Sequence, residues 1–235
     1  MTSRHLHWVW LPIIAAQGIW VKLLTPRLPE AAPPIEGVIE GREPVLDLVV
    51  IGESPVAGIG APTHALALTG QTAQAWARRT GRSVRWLALG RSGATVRTTI
   101  AELVPQLAGR RADAVVIGLG VNDALDRHSA SRWCLDLNEL ILAVRDQVGH
   151  VPIVLAGVPP LDRFPAFPEP LRSFLGGYSK TLDRATAEFS RTLDRVVYAP
   201  MSEGIRPDHF CADRFHPGVA GYALWGEHLS QFLPD

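Results

Sequence analysis

The chain has 235 residues, enough for one well-buried α/β domain and short for two. Apolar residues make up 47% and charged residues 20%, and the 23 Lys and Arg balance the 23 Asp and Glu. A net charge of zero offers no electrostatic footprint for nucleic acid and no steering toward strongly anionic substrates, which leaves small or apolar ligands favoured.

The N-terminus opens with an apolar stretch, Trp8 to Ala16, preceded by Arg4, His5 and His7. Pro12 interrupts it, Gln17 and Lys22 end it before ~20 apolar residues accumulate, and no clear small-x-small cleavage site follows. Residues 1–24 therefore read as an apolar helix packed on the domain or lying at a membrane surface, with a signal or anchor as the alternative. A cytoplasmic location with peripheral membrane contact through residues 6–24 is the matching expectation. Residues 25–44 hold five prolines and two glycines and read as a linker or extended surface segment, so the domain proper is placed at 45–235.

From residue 46 strand and helix signals alternate. Leu46 to Ile51 is a β-branched run closed by Gly52. A helix is expected from His64 to Arg79, a strand from Val84 to Leu89, a helix from Thr95 to Leu107 and a strand from Ala114 to Leu119. Helix follows over 131–148, strand over 153–156, helix over 172–193, a short strand over 195–198 and a last helix over 218–232. Such alternation implies right-handed βαβ units, hence a parallel five-stranded sheet covered on both faces in a three-layer α/β/α sandwich. In such sheets ligands bind at the carboxyl ends of the strands.

Those ends carry the chemistry-bearing residues. The first is followed by Gly52-Glu53-Ser54-Pro55, where Ser54 suits either a helix cap or a nucleophile beside free backbone N–H groups. The second leads to Ser92-Gly93-Ala94-Thr95 and the third to Gly120-Val121-Asn122-Asp123, each of which a simple turn would also explain. Before the last helix stands Asp213-Arg214-Phe215-His216, in which a carboxylate three residues from an imidazole can orient it. Each block alone is weak, but their joint occurrence on one sheet edge is not.

The set resembles the SGNH hydrolases, the GDSL-like lipases and esterases, over residues 46 to 233. The resemblance implies a flavodoxin-like fold and a serine esterase working through an acyl-enzyme, and the lack of a large insertion to act as a lid favours short- to medium-chain acyl esters. It implies Ser54 as nucleophile, His216 as base and Asp213 as its orienting acid. It also implies an oxyanion hole from the N–H groups of Ser54 and Gly93 and the Asn122 side chain. Two departures stand out: Glu53 replaces the family's usual Asp, and Pro55 follows the serine. The α/β-hydrolase elbow G-x-S-x-G is excluded, because Val56 stands two after Ser54.

No cofactor and no metal is called for; Asp208-His209 beside Asp213-His216 is the nearest approach to a ligand cluster. Phe164 and Phe167, in a Pro-rich loop after the fourth strand, are expected to wall the acyl pocket. Cys134 and Cys211 are too few for a disulfide scaffold and read as small buried hydrophobes. The same residues would serve a carbohydrate O-acetyl esterase, a thioesterase or a lysophospholipase, and a catalytically silent binding module is the alternative from another class. The expected partner is a small-molecule acyl ester, with no nucleic acid.

Overall fold

The computed structural model describes residues 6–202 and 204–235. Arg4 and His5, which flank the N-terminal apolar stretch, lie outside them. The strands are β1 (Glu36–Ile39), β2 (Arg42–Gly52), β3 (Arg82–Gly90), β4 (Ala114–Gly118), β5 (Ile153–Ala156) and β6 (Val196–Ala199). The helices are α1 (Leu6–Leu24), α2 (Leu68–Thr80), α3 (Val96–Thr98), α4 (Val121–Leu125), α5 (Ala130–Val148), α6 (Leu171–Ser190) and α7 (Val219–Ser230). Irregular helical turns prolong α3 to Leu107.

The sheet runs β1-β3-β2-β4-β5-β6, parallel throughout except for β1, which pairs antiparallel with β3. Alternate residues of β2 face opposite layers. Leu48 and Val50 join Trp76, Tyr222, Trp225 and Leu229 of α2 and α7. Val49 and Ile51 join Trp133, Leu137, Leu140 and Leu182 of α5 and α6. Burial on both faces is why this strand is a continuous apolar run.

The five-stranded parallel sheet expected from the sequence is thus six-stranded and mixed. The added strand comes from the segment assigned as a linker. Residues 36–39 form the sheet edge and Arg42 already belongs to β2, so the 25–44 segment is part of the fold rather than a tether. Its surrounding prolines conceal a strand of only four residues. Pro44 is tolerated because the β2–β3 register shifts between Arg42 and Leu46, where no ladder hydrogen bond is required of it. Gly37 sits beneath the Trp86 indole, where a Cβ would come within 2.5 Å of the ring. The N-terminal stretch is helical, with Ile14 buried against α6. Among the described residues no helix is long and apolar enough to cross a membrane.

Omitting β1, the strand order is that of doubly wound flavodoxin-like sheets. The chain reverses direction across the sheet between β2 and β4, the place where such folds bind ligands. Their backbones meet closely there: a Cβ on Gly52 would lie 2.0 Å from the Gly118 carbonyl oxygen.

Candidate active site

Ser54 follows β2 directly. The turn that holds it is closed by hydrogen bonds from the N–H groups of Val56 and Ala57 to the Glu53 carbonyl and from Ile59 to the Ser54 carbonyl. Pro55, lacking an N–H, occupies the second position inside this turn, where no donor is needed. The Tyr222 hydroxyl, deep in the core, donates to the Ile59 carbonyl at 2.5 Å and ties α7 to the turn.

The segment before α7 is a tight hairpin. The N–H of Cys211 donates to the His216 carbonyl and that of Gly218 to the His209 carbonyl, both at 2.8 Å. Arg214 at its tip takes a left-handed φ of 60°. Asp213 faces inward and accepts at Oδ1 from the N–H groups of Phe215 and His216, both at 2.9 Å, and from the Cys211 thiol at 3.0 Å. Its Oδ2 lies 2.6 Å from His216 Nδ1, and His216 Nε2 lies 3.0 Å from Ser54 Oγ. Burial works to raise the Asp213 pKa, but the donors from His216, Cys211 and Phe215 outweigh it and hold it at about 2. The carboxylate is therefore ionised at neutral pH, as the partner of an imidazole that gains a proton needs to be. Cys211 is more than the buried filler expected of it: its thiol is a donor to this carboxylate, and burial and that carboxylate push its own pKa up to about 11.

A second polar network links the remaining blocks. Glu53 is buried, and its Oε1 accepts from the Val121 N–H at 3.0 Å. Its Oε2 accepts from the Asn122 N–H at 3.1 Å and from the Asn122 carboxamide at 2.5 Å. Desolvation dominates here and pushes the Glu53 pKa up to about 8. The second carboxamide hydrogen of Asn122 goes to the Ala94 carbonyl at 3.0 Å. Asn122 thus sits just past the third expected strand, in a short helix, α4, that is not among the elements expected from the sequence, and both its amide hydrogens are engaged. Asp123 accepts from the Val96 N–H at 3.3 Å and pairs with His128, and burial raises its pKa to about 6. Gly93 lies in the turn after β3 with φ of 77°, and nothing lies within 4 Å of where its Cβ would be. The Glu30 carboxylate, from the supposed linker, accepts from the neighbouring Ser92 N–H at 3.0 Å. Glu30 gave no signal in the sequence, because the contact spans 62 residues and belongs to no motif.

Beside the serine opens a narrow, almost wholly apolar pocket. Ser54 and His216 line it together with Phe164, Phe210, Phe215, Trp225 and other apolar side chains of the 159–164 and 201–225 segments. Phe164 is in the wall as expected; Phe167 is not. It stacks behind Phe164 at 6.1 Å between ring centroids and meets Phe215 edge-on at 5.6 Å, so it buttresses the wall. An N–H from Ala166 to the Arg214 carbonyl joins this loop to the hairpin. Phe210 and Phe215 were missed as pocket residues, although their position around the Asp-x-x-His block was a usable signal. Among the described residues no three or more His, Cys, Asp or Glu side chains group as a metal site would.

The model of the GDSL-like lipase/acylhydrolase family matches residues 50–224. A protein named as a GDSL-like esterase of Mycobacterium tuberculosis is 25% identical over 241 residues, covering 95% of this chain and 76% of that protein. In structure, the fold is similar to TesA (TM-score 0.63, 22% identity, 80% of this chain and 97% of that one). It is equally similar to a family 3 carbohydrate esterase of Clostridium thermocellum (TM-score 0.63, 16% identity, 80% and 95%). With a match that spans most of the domain and every strand-end block, the chain belongs to the GDSL-like lipase/acylhydrolase family and is an esterase, a hydrolase of carboxylic esters.

Proposed function

We propose that the chain hydrolyses short- to medium-chain acyl esters through Ser54, His216 and Asp213 by way of an acyl-enzyme. The observation that carries this reading is the unbroken hydrogen-bonded series from Ser54 Oγ through His216 to Asp213 at the wall of an apolar pocket. Ser54 Oγ attacks the ester carbonyl as His216 Nε2 takes its proton. Asp213 fixes the imidazole so that Nε2 faces the serine, and stabilises the charged ring. The tetrahedral oxyanion draws on the N–H groups of Ser54 and Gly93 and on the Asn122 carboxamide. His216 then protonates the departing alcohol, and water repeats the sequence on the acyl-enzyme.

The engagement of Asn122 bears on that step. An oxyanion carries far more negative charge than the Ala94 carbonyl and is the stronger acceptor. The carboxamide therefore exchanges that bond only as charge develops, and such an interaction favours the transition state over the ground state.

The narrow apolar pocket supports acyl chains of modest length over bulky polar acids. The test is hydrolysis of a p-nitrophenyl ester series of rising chain length by wild type, Ser54→Ala and Phe164→Ala. Loss of all turnover in Ser54→Ala with the fold intact is expected; residual activity near wild type would sink the serine mechanism. Phe164→Ala should move the optimum to longer chains, whereas a uniform loss across the series would remove Phe164 from the acyl wall.

A further inference from the structure

Helix α1 is apolar around nearly its whole circumference, yet the domain covers only one side of it. Ile14, Gln17 and Val21, spaced three and four apart, face α6. Ile14 is buried there, and the Gln17 carboxamide donates to the Glu169 carbonyl at 2.7 Å and accepts from the Leu171 N–H at 3.0 Å. This fixes α1 to the start of α6, next to the loop that carries Phe164 and Phe167. Elsewhere on the helix Trp10, Ile13, Ile19, Trp20, Leu23 and Leu24 are between 43% and 76% exposed. Single exposed apolar residues are ordinary, but six on one helix form a patch that a soluble surface rarely leaves bare. From Leu11 to Leu24 the only polar side chains are Gln17, turned to α6, and Lys22, which is exposed.

Charge indicates the occupant. The whole chain is neutral, but residues 1–29 contain no Asp or Glu and include Arg4, Lys22 and Arg27. The first acid, Glu30, is engaged with the Ser92 N–H. An apolar helix in a segment that carries basic residues and no acid disfavours a second copy of itself and suits an anionic, apolar-cored surface. Trp10 and Trp20 on this face are of the side-chain type that favours the boundary between headgroups and acyl chains. Because α1 is held against α6 through Ile14, Gln17 and Val21 and no described helix is suited to crossing, the fit is a helix lying in the plane of the surface. We propose that the exposed face of α1 is a docking surface for an anionic lipid bilayer.

The experiment is co-sedimentation of the full chain with phosphatidylcholine vesicles and with vesicles containing about one-third phosphatidylglycerol. The expected result is binding to the anionic vesicles that weakens as salt rises, with a blue shift of tryptophan emission. The double variant Ile19→Glu/Leu23→Glu should bind at least about tenfold more weakly while keeping its Tm. Lys22→Glu, an exposed charge change that asks nothing of the fold, should weaken binding to the anionic vesicles and leave the weaker phosphatidylcholine binding unchanged. Absence of binding to either vesicle overturns the proposal, as does a double variant that binds like wild type. A dimer in solution that the double variant converts to monomer, with no vesicle binding, would assign the face to a second copy instead. None of these readouts depends on the esterase reaction, so this proposal and the catalytic one fail separately.

Discussion

Two carboxyl groups flank the nucleophile, equally hidden from solvent and pushed in opposite directions. Asp213 and Glu53 are 4% and 3% exposed, and each accepts several hydrogen bonds. Yet Asp213 titrates at about 2 and Glu53 at about 8. The difference lies in where each sits and in what faces it. Asp213 is on a surface hairpin and meets an imidazole that can carry charge. Glu53 lies between the ends of β2 and β4, meets only neutral amides, and has the Asp123 carboxyl nearby, which raises its pKa further. Hydrogen-bond number alone does not ionise a buried acid: at Asp213 the donors outweigh desolvation, whereas at Glu53 desolvation, with Asp123 adding to it, outweighs the donors. One acid is thereby fitted to answer a developing positive charge, and the other to hold a turn in place.

The largest effect that would sharpen this contrast is at Asp213. Asp213→Asn should lower kcat by roughly 10⁴-fold in a protein that still folds, because the wrong imidazole tautomer is then held. A loss under tenfold would make the acid a structural group like Glu53. The wild-type carboxylate also contributes stability present above its unfolded pKa near 4 and lost as pH falls through about 2, so Asp213→Asn should flatten the acid limb of a pH–stability curve below pH 4.

Next in size is Asn122→Ala, expected to cost roughly 10²–10³ in kcat with KM nearly unchanged if the carboxamide meets the oxyanion. An unchanged kcat would assign Asn122 wholly to the Glu53 network. The smallest effect is thermodynamic. Glu53 binds its proton more tightly folded than unfolded, so stability should fall as pH rises from about 4.5 to about 8, and Glu53→Gln should reduce that slope by up to one proton's worth. Chemical denaturation at several pH values reads this directly, and an unaltered slope would show Glu53 to be ionised despite its burial.

Much of the candidate site is legible in the sequence. Ser54 and Asn122 follow strand ends and Asp213 and His216 precede the last helix, and those positions follow from short-range signals: apolar runs closed by glycine, and an acid three residues from a histidine. The helices at 131–148 and 172–193 were legible for the same reason, with observed bounds of Ala130–Val148 and Leu171–Ser190. The short strand β1 was not, because four residues amid prolines carry no periodicity and become a strand only when β3 offers an edge to pair with. Nor was the removal of Phe167 from the pocket surface, since two aromatics three residues apart in a loop are equivalent until packing sets one ring on the pocket and the other behind it.

Local pattern, then, determined the α/β/α class, the order of the strands along the chain and the residues at their ends, because strand and helix periods and the glycine stops are properties of neighbouring residues. Tertiary structure alone decided that Glu30 supports the turn before Gly93 and that Glu53 holds both the backbone and the carboxamide of Asn122. It also decided which face of α1 is left bare. Each of these depends on groups that chain folding brings together, and on how much water the surrounding layers exclude, which no stretch of sequence encodes by itself.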